Sequence, residues 1–150
     1  MSKSVIVPAS VSECFAVASR LEAYMDWCRG SGLQEVQILE WGEDGRARKI
    51  VMVAGKFGLR TSNTLIYSYS PDDDEVAFEC VQGDVMPTLN GRYVFRDASG
   101  EAGSSPQTQV TYELNIRFAM GIPEWTHKAL VGVILSTALG SFKSHILRRG

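Results

Sequence analysis

The sequence predicts an α+β fold in which a curved antiparallel sheet of about seven strands wraps around one long C-terminal helix. Between residues 33 and 117, six segments show the residue pattern of strands, and turn-rich stretches connect them. Residues 124–149 contain no proline and carry apolar residues at helical spacing. Sequential strands with short connections pair antiparallel, and the helix must bury its apolar face against the sheet that they form.

The chain begins with a predicted strand and a predicted helical segment. Ser4–Val7 is rich in β-branched residues and is followed by proline, which favours a short strand that can pair at an edge of the sheet. Ser10 or Ser12 can cap the helix that follows. Apolar residues at helical spacing from Val11 to Trp27 predict one bent helix or two short helices.

Three predicted strands come next, at Leu33–Trp41, Arg46–Ala54 and Leu59–Ser70. Gly42–Gly45 has the composition of a hairpin turn. Gly55 and Gly58 bracket a second turn.

Three further strands are predicted at Val76–Val81, Val85–Asp97 and Val110–Arg117, the last with the most regular alternation in the chain. Pro71–Asp74 is a turn, because proline presets φ and aspartate can hydrogen-bond to its own backbone. Ala98–Gln107 is rich in Gly, Ser and Pro and predicts a surface loop.

The C-terminal helix is predicted from Glu124 to Arg149, about seven turns long. Gly121–Pro123 precedes it, and proline is tolerated near a helix start because its missing N–H has no partner there. Its apolar face is formed by Val131, Ile134, Leu135, Ala138 and Phe142.

The amino-acid composition argues against nucleic-acid-binding and metal-binding classes of protein. The formal net charge of −2, without a basic stripe, disfavours a nucleic-acid partner. Cys14, Cys28 and Cys80 show no metal-ligand or redox spacing, and their odd number fits a reducing compartment. His127 and His145 have no zinc-site pattern around them. We therefore expect no metal and no cofactor.

The most apolar run, Ala129–Leu139, is shorter than the roughly 20 residues that a membrane span needs. The N-terminus shows no signal peptide. We expect a cytoplasmic protein with no integral membrane segment. A transient membrane contact and the earlier removal of a transit peptide are both compatible with this sequence. The sequence indicates no oligomeric state.

Four passages, together with the order of the elements, carry a family resemblance: Val5–Ser10, Glu13–Trp27, Leu89–Phe95 and Ala138–Phe142. They resemble the opening strand, the following helical pair, an inner strand and the end of the last helix in the helix-grip fold of the START/Bet v 1-like (SRPBCC) superfamily. The likeness is strongest to its polyketide cyclase/dehydrase and coenzyme-Q-binding branch. Tyr93 stands where the family usually has tryptophan. The likeness covers nearly the whole chain.

The resemblance implies a single START/Bet v 1-like ligand-binding domain over residues 1–150, with an apolar cavity between sheet and helix. It also places Gly91 inside a strand, as at a kink or bulge, although Asn90-Gly91 alone would suggest a hairpin turn. Family members have no single activity: some carry quinones or lipids, some cyclise and dehydrate polyketides, and some act through partners.

The candidate ligand-binding residues are apolar or aromatic side chains expected to face the cavity, with plain core packing as the alternative. On the strands and the last helix they are Phe78, Cys80, Leu89, Tyr93, Phe95, Tyr112, Leu114, Val131, Ile134, Leu135 and Ala138. At segment ends, Trp27, Met120 and Trp125 are candidates for the cavity mouth, or for packing at the corners of the fold.

Polar candidates are few. The stretch Thr61–Thr64 sends a hydroxyl or an amide inward whichever parity faces the interior, and a ligand oxygen could be its partner. The alternative is an edge strand with solvent on that side, and the sequence does not fix the parity. Tyr93 and Tyr112 could donate hydrogen bonds to a ligand, or act as general acids if their pKa were strongly shifted. No nucleophile motif, phosphate-binding loop or carboxylate pair is visible, so no catalytic residue is assigned.

Three functions remain. The favoured hypothesis is the binding of a small hydrophobic ligand such as a lipid, quinone, isoprenoid, fatty acid or polyketide, with transport or sensing of that ligand as an extension of it. The second is a polyketide cyclase, aromatase or dehydratase with an inward cluster drawn from Tyr93, Tyr112, Ser62 and Arg92. The third is a protein-interaction module.

Overall fold

The computed structural model of the chain describes residues 1–28, 30, 32–56, 59–101 and 104–149. Its elements follow the order predicted from the sequence. They are β1 (Ser2–Val7), α1 (Val11–Ser19), a 3₁₀ helix (Leu21–Asp26), β2 (Leu33–Trp41), β3 (Ala47–Lys56), β4 (Leu59–Tyr69), β5 (Glu75–Gly83), β6 (Thr88–Asp97), β7 (Thr108–Arg117) and α2 (Glu124–Arg149).

All seven strands form one antiparallel sheet in the order β1-β7-β6-β5-β4-β3-β2. β2 to β7 form a meander, because each strand pairs with the next one along the chain. β1 closes the far edge by pairing with β7, as expected for a first strand that pairs at an edge. The sheet curves around α2, which confirms the predicted α+β helix-grip fold.

Irregular pairing accompanies this curvature. The register shifts between Leu33 and Trp41 in β2, and again between Thr64 and Leu65 where β4 pairs with β5. Extra residues in one strand of a pair bend that strand and increase its twist. These shifts lie in the half of the sheet opposite β1 and β7.

The segment after β1 forms two short helices. Ser10 is the N-cap of α1: its Oγ accepts a hydrogen bond from the Glu13 backbone N–H at 3.1 Å, and the Glu13 carboxylate accepts one from the Ser10 N–H at 3.3 Å. This reciprocal capping box satisfies two N–H groups that lack helical partners. α1 ends at Ser19, and the chain continues as the 3₁₀ helix.

The helix α2 buries one face against the sheet, where it contacts β1 and β7. Its buried residues are Val131, Leu135, Leu139, Phe142 and Ile146. Within the described ranges, α2 is long and apolar enough, by length and composition, to cross a membrane, although the run Ala129–Leu139 alone is too short. The core helix of a soluble protein passes the same test, so length and composition alone do not make α2 a membrane span.

One predicted boundary is wrong. The strand expected from Val85 begins at Thr88, because residues 84–87 form a bend held by hydrogen bonds to β4, one from the Ser62 backbone N–H and one from the Asn63 side chain. Pro87 also lacks the N–H that a paired strand residue would donate. The centre of the predicted turn between Gly55 and Gly58 lies outside the described residues, as do residues 102 and 103 of the predicted surface loop.

Gly91 lies inside β6, as the resemblance implies, and no hairpin turn forms at Asn90-Gly91. The pairing of β6 with β7 runs past Gly91 without a register shift, so there is no bulge at this position. A Cβ at Gly91 would lie 2.5 Å from the Glu113 carbonyl oxygen and 2.8 Å from Cζ of Phe78. Close approach of neighbouring atoms, and not a special φ, therefore explains the glycine.

Candidate functional site

A partly enclosed cavity of about 190 Å³ lies between the inner face of the sheet and α2. None of the described residues that line it is charged. They are Tyr24, Cys28, Leu33, Met52, Ala54, Thr61, Leu65, Tyr67, Phe78, Val85, Met86, Leu89, Tyr93, Tyr112, Leu114, Ile116, Phe118, Leu130, Ile134 and Ala138. A wider depression on the outer side of the sheet, about 820 Å³, is shallow and open to solvent.

Four aromatic side chains from adjacent strands form one wall of the cavity, which we call the aromatic wall: Tyr67, Phe78, Tyr93 and Tyr112. Tyr67 and Phe78 are cross-strand partners with ring centroids 5.4 Å apart. Tyr93 and Tyr112 are also cross-strand partners, and their rings stack in parallel at 4.1 Å. Gly91, opposite Phe78, leaves the space that the Phe78 ring occupies.

Burial keeps the tyrosine hydroxyls of the cavity neutral. Desolvation raises the pKa of Tyr24, Tyr67, Tyr93 and Tyr112 above the usual value for tyrosine, because an ionised phenolate would lose its hydration there. The Tyr24 hydroxyl donates to the Ala18 carbonyl, and those of Tyr93 and Tyr112 interact with each other. Neutral phenols can donate hydrogen bonds, but they are weak acids at neutral pH.

In β4, Thr61 and Asn63 face inward, while Ser62 is exposed. Their polar atoms bind protein partners: Thr61 Oγ1 donates to Asn63 Oδ1 at 2.8 Å and to Asp84 Oδ1 at 3.1 Å, and Asn63 Nδ2 donates to the Met86 carbonyl at 2.7 Å. β4 lies between β3 and β5, so it is not an edge strand. This polar group therefore anchors the bend before β6 and already has the partner that a ligand oxygen could have supplied.

Half of the candidate ligand-binding residues from the sequence line the cavity. They are Phe78, Leu89, Tyr93, Tyr112, Leu114, Ile134 and Ala138. Their role in binding a ligand stays a prediction.

The other seven lie elsewhere. Four are partly or fully buried away from the cavity walls: Cys80, Phe95, Val131 and Leu135. Trp27 is also buried, edge-on to Phe142 with ring centroids 5.5 Å apart, so it packs in the core and not at a cavity mouth. Met120 and Trp125 are 51% and 74% exposed and do not line the cavity.

A family model described as "Polyketide cyclase / dehydrase and lipid transport" matches residues 1–146. The chain belongs to this family. The match agrees with the fold and with the START/SRPBCC resemblance of the sequence.

Solved structures of the same fold differ widely in sequence. A START superfamily protein from Mycobacterium smegmatis has 21% identity and a TM-score of 0.84, with 100% of this chain and 98% of that chain covered. TTHA0849 from Thermus thermophilus has 15% identity and a TM-score of 0.75, with coverage of 100% and 98%. The Zhui aromatase/cyclase from Streptomyces sp. R1128 has 16% identity and a TM-score of 0.73, with coverage of 99% and 93%. No curated protein matches the chain.

Several cavity residues of this polyketide cyclase/dehydrase and lipid transport family member are not among the candidates predicted from its sequence. From the first half of the chain they include Tyr24, Cys28, Leu33, Met52, Ala54, Leu65 and Tyr67. The alternation within β4 could have identified two of them, because Leu65 and Tyr67 share a face with Thr61. The others depend on how the segment around the 3₁₀ helix and the strands β2 and β3 pack around the cavity.

Ser62 and Arg92 cannot join an inward cluster with the tyrosines. Ser62 is exposed, and Arg92 lies on the outer face, where it pairs with Glu75 at 2.9 Å and with Glu113. His127 hydrogen-bonds to the Ile116 carbonyl at 2.7 Å. Across the described parts of the chain, no group of three or more His, Cys, Asp or Glu side chains is placed to hold a metal ion.

Proposed function

We propose that this protein binds a small hydrophobic molecule in the cavity between the sheet and α2. The observation that carries the proposal is the lining of that cavity, which is apolar and aromatic and includes no charged residue among those described. Ligand sites in proteins are typically concave and apolar with a few polar groups that orient the ligand. The tyrosines of the aromatic wall supply such groups.

The cavity volume supports a compact ligand. At about 190 Å³ the cavity is a little larger than a dry engineered cavity of roughly 150 Å³ that binds benzene. It is smaller than the roughly 300–1,000 Å³ of typical drug-sized sites. A molecule of one or two rings fits without rearrangement, whereas a long lipid or an extended polyketide requires α2 or a neighbouring connection to move.

A cavity-filling variant tests the proposal. Ala138→Leu places three extra carbon atoms against the cavity from α2, and Ala129→Leu makes the same change at an exposed position of the same helix. We expect indane, an uncharged bicyclic hydrocarbon, to bind the parent protein and Ala129→Leu with equal Kd in calorimetric titrations, and Ala138→Leu at least tenfold more weakly. Native mass spectrometry of the purified protein would identify any ligand retained from the cell.

The proposal fails if indane does not bind, or if Ala138→Leu binds it as tightly as the parent protein. Thermal unfolding of both variants without ligand provides the folding control, because a folded Ala138→Leu that has lost binding isolates the loss of the cavity.

An enzymatic role in polyketide cyclisation is the second candidate, supported by the family description and by two tyrosine hydroxyls in the cavity, those of Tyr93 and Tyr112. Their raised pKa values weigh against acid–base work at neutral pH. The test is turnover of a poly-β-ketone thioester. If Tyr93→Phe and Tyr112→Phe both leave the rate unchanged, these residues have no chemical role.

A further inference from the structure

Tyr67 differs from the other tyrosines of the cavity in the state of its hydroxyl. It is 5% exposed and lines the cavity from β4. Among the residues that the structure describes, its hydroxyl has no hydrogen-bond partner, whereas that of Tyr24 donates to a backbone carbonyl and those of Tyr93 and Tyr112 interact with each other. Since no fully buried side-chain nitrogen or oxygen among the described residues lacks a partner, this hydroxyl keeps accessible surface, and a ligand in the cavity can accept its hydrogen in place of water.

The surroundings of Tyr67 restrict what can satisfy this hydroxyl. No described lining residue is charged, so a carboxylate in the cavity would be desolvated without a cation to compensate. The Tyr67 phenol is protonated, because burial raises its pKa, and it therefore has a hydrogen to donate. Its partner should be an uncharged oxygen acceptor.

Among uncharged oxygen groups, a ketone is the simplest acceptor. A ligand hydroxyl would bring a further donor that must find an acceptor among the hydroxyl oxygens of the lining, whereas Thr61 and Tyr24 already direct their own hydrogens at protein acceptors. A ketone only accepts, so one bond from Tyr67 leaves no donor unsatisfied. The cavity volume limits the remaining part of the ligand to one or two rings.

We infer that Tyr67 donates a hydrogen bond to the carbonyl oxygen of an uncharged cyclic or aromatic ketone bound in the cavity, an inference that rests on the function proposed above. Tyr67 then determines specificity: it selects ketones over hydrocarbons of the same shape, and the uncharged lining rejects carboxylates.

The test compares 1-indanone with 1-methyleneindane, in which a methylene replaces the carbonyl oxygen, by calorimetric titration of the parent protein and of Tyr67→Phe. Because a neutral hydrogen bond contributes roughly a fivefold factor in affinity, Tyr67→Phe should shift the ratio of the two Kd values about fivefold against the ketone. Tyr69→Phe is the matched control. Its hydroxyl donates to the Ala47 carbonyl at 2.6 Å, away from the cavity, so this ratio should stay unchanged. Indane-1-carboxylate should bind neither protein.

The carbonyl stretching frequency of bound 1-indanone provides a second readout that needs no variant. In the parent protein it should lie below the frequency in an alkane solvent, since a hydrogen bond weakens the C=O bond. An unshifted frequency overturns the inference even if Tyr67→Phe does not fold.

The inference and the proposed function fail in different ways. If both compounds bind and Ala138→Leu blocks both, but Tyr67→Phe leaves the Kd ratio unchanged, the inference is overturned and the proposed function stands. Tight binding of the carboxylate also overturns the inference alone. If neither compound binds, or if Ala138→Leu leaves their binding intact, both are overturned.

Discussion

Gly91 shows how one residue shapes the aromatic wall. Its Cα faces the Phe78 ring on one neighbouring strand and Leu114 on the other, and both side chains line the cavity. A Cβ there would come within 2.9 Å of Leu114 Cδ2 as well as near Phe78 and the Glu113 carbonyl. The missing side chain therefore allows Phe78 and Leu114 to approach each other across β6.

Gly91→Ala should destabilise the fold by about 2 kcal/mol, the middle of the range for overpacked core positions. The backbone carbonyl of Glu113 cannot move aside as a side-chain end can. Gly140→Ala is the control, since nothing lies within 4 Å of a Cβ at that exposed helical position. Alanine there should stabilise by up to about 1 kcal/mol through helix propensity. Urea unfolding measures both, and a Gly91→Ala protein as stable as the parent would contradict the steric explanation.

Two residues of β6 also show what the sequence could not predict about the cavity. Of the β6 residues expected to face inward, Tyr93 and Phe95 are buried and Leu89 packs against the core. The alternation along the strand did not separate Tyr93, which touches the cavity, from Phe95, which stacks on Phe142 in filled core. Both side chains face the same way along one strand, and only the packing of α2 decides which of them meets empty space.

At the scale of elements, the bend between β5 and β6 is held mainly by one carboxylate. Asp84 Oδ1 accepts hydrogen bonds from the Ser62 backbone N–H, the Val85 backbone N–H and the Thr61 hydroxyl. These bonds favour the charged form and hold the pKa of Asp84 below its usual 3.8. Val85 and Met86, which follow directly, line the cavity, so Asp84 positions part of its wall.

Asp84→Asn should lower the free energy of unfolding at pH 7 by no more than about 1 kcal/mol, because solvent screens this exposed carboxylate. A pKa that is depressed in the folded state contributes stability above the unfolded pKa, and this contribution disappears as pH falls through the folded value. The difference between parent and variant should therefore be full above about pH 5 and vanish well below about pH 4. Urea unfolding from pH 7 to pH 2 measures it.

Asp72→Asn, in the exposed turn between β4 and β5, removes the same charge without touching this bend. As an exposed surface substitution it should leave the free energy of unfolding at pH 7 within about 0.5 kcal/mol of the parent value. A difference between parent and Asp84→Asn that stays constant down to pH 2 would show that the bend does not depend on the charged carboxylate.

The elements themselves were largely predictable, for physical reasons that act locally. The capping box at Ser10 and the turn at Gly42–Gly45 depend on neighbouring residues, and both form as expected. The start of β6 was not predictable, because Asn63 and Asp84 hold residues 84–87 out of the strand through contacts 22 and 23 positions apart in sequence. The bulges in β2 depend likewise on its pairing with β3.

At the scale of the whole molecule, the cavity is the volume that remains when the inner sheet face and α2 come together. Many large side chains contribute to that packing, and the space left over is a small difference between their total volume and the volume that they enclose. Apolar patterning identifies the residues that face inward, but it does not give this difference. For this reason half of the candidate residues line the cavity and the other half do not.

The small volume of the cavity predicts a size limit on the ligand. In a series of alkyl phenyl ketones, each methylene that fits into the cavity should improve the Kd about fourfold, since burying a methylene contributes roughly 0.8 kcal/mol. Once the space of about 190 Å³ is filled, further methylenes must displace packed side chains, and the Kd should stop improving or worsen. Calorimetric titration along the series locates the break. In Ala138→Leu the break should come at a shorter chain, whereas Ala129→Leu should leave it in place. An affinity that rises steadily up to long chains would instead mean that the cavity continues into a channel. The ligand would then be a lipid and not a compact ring compound.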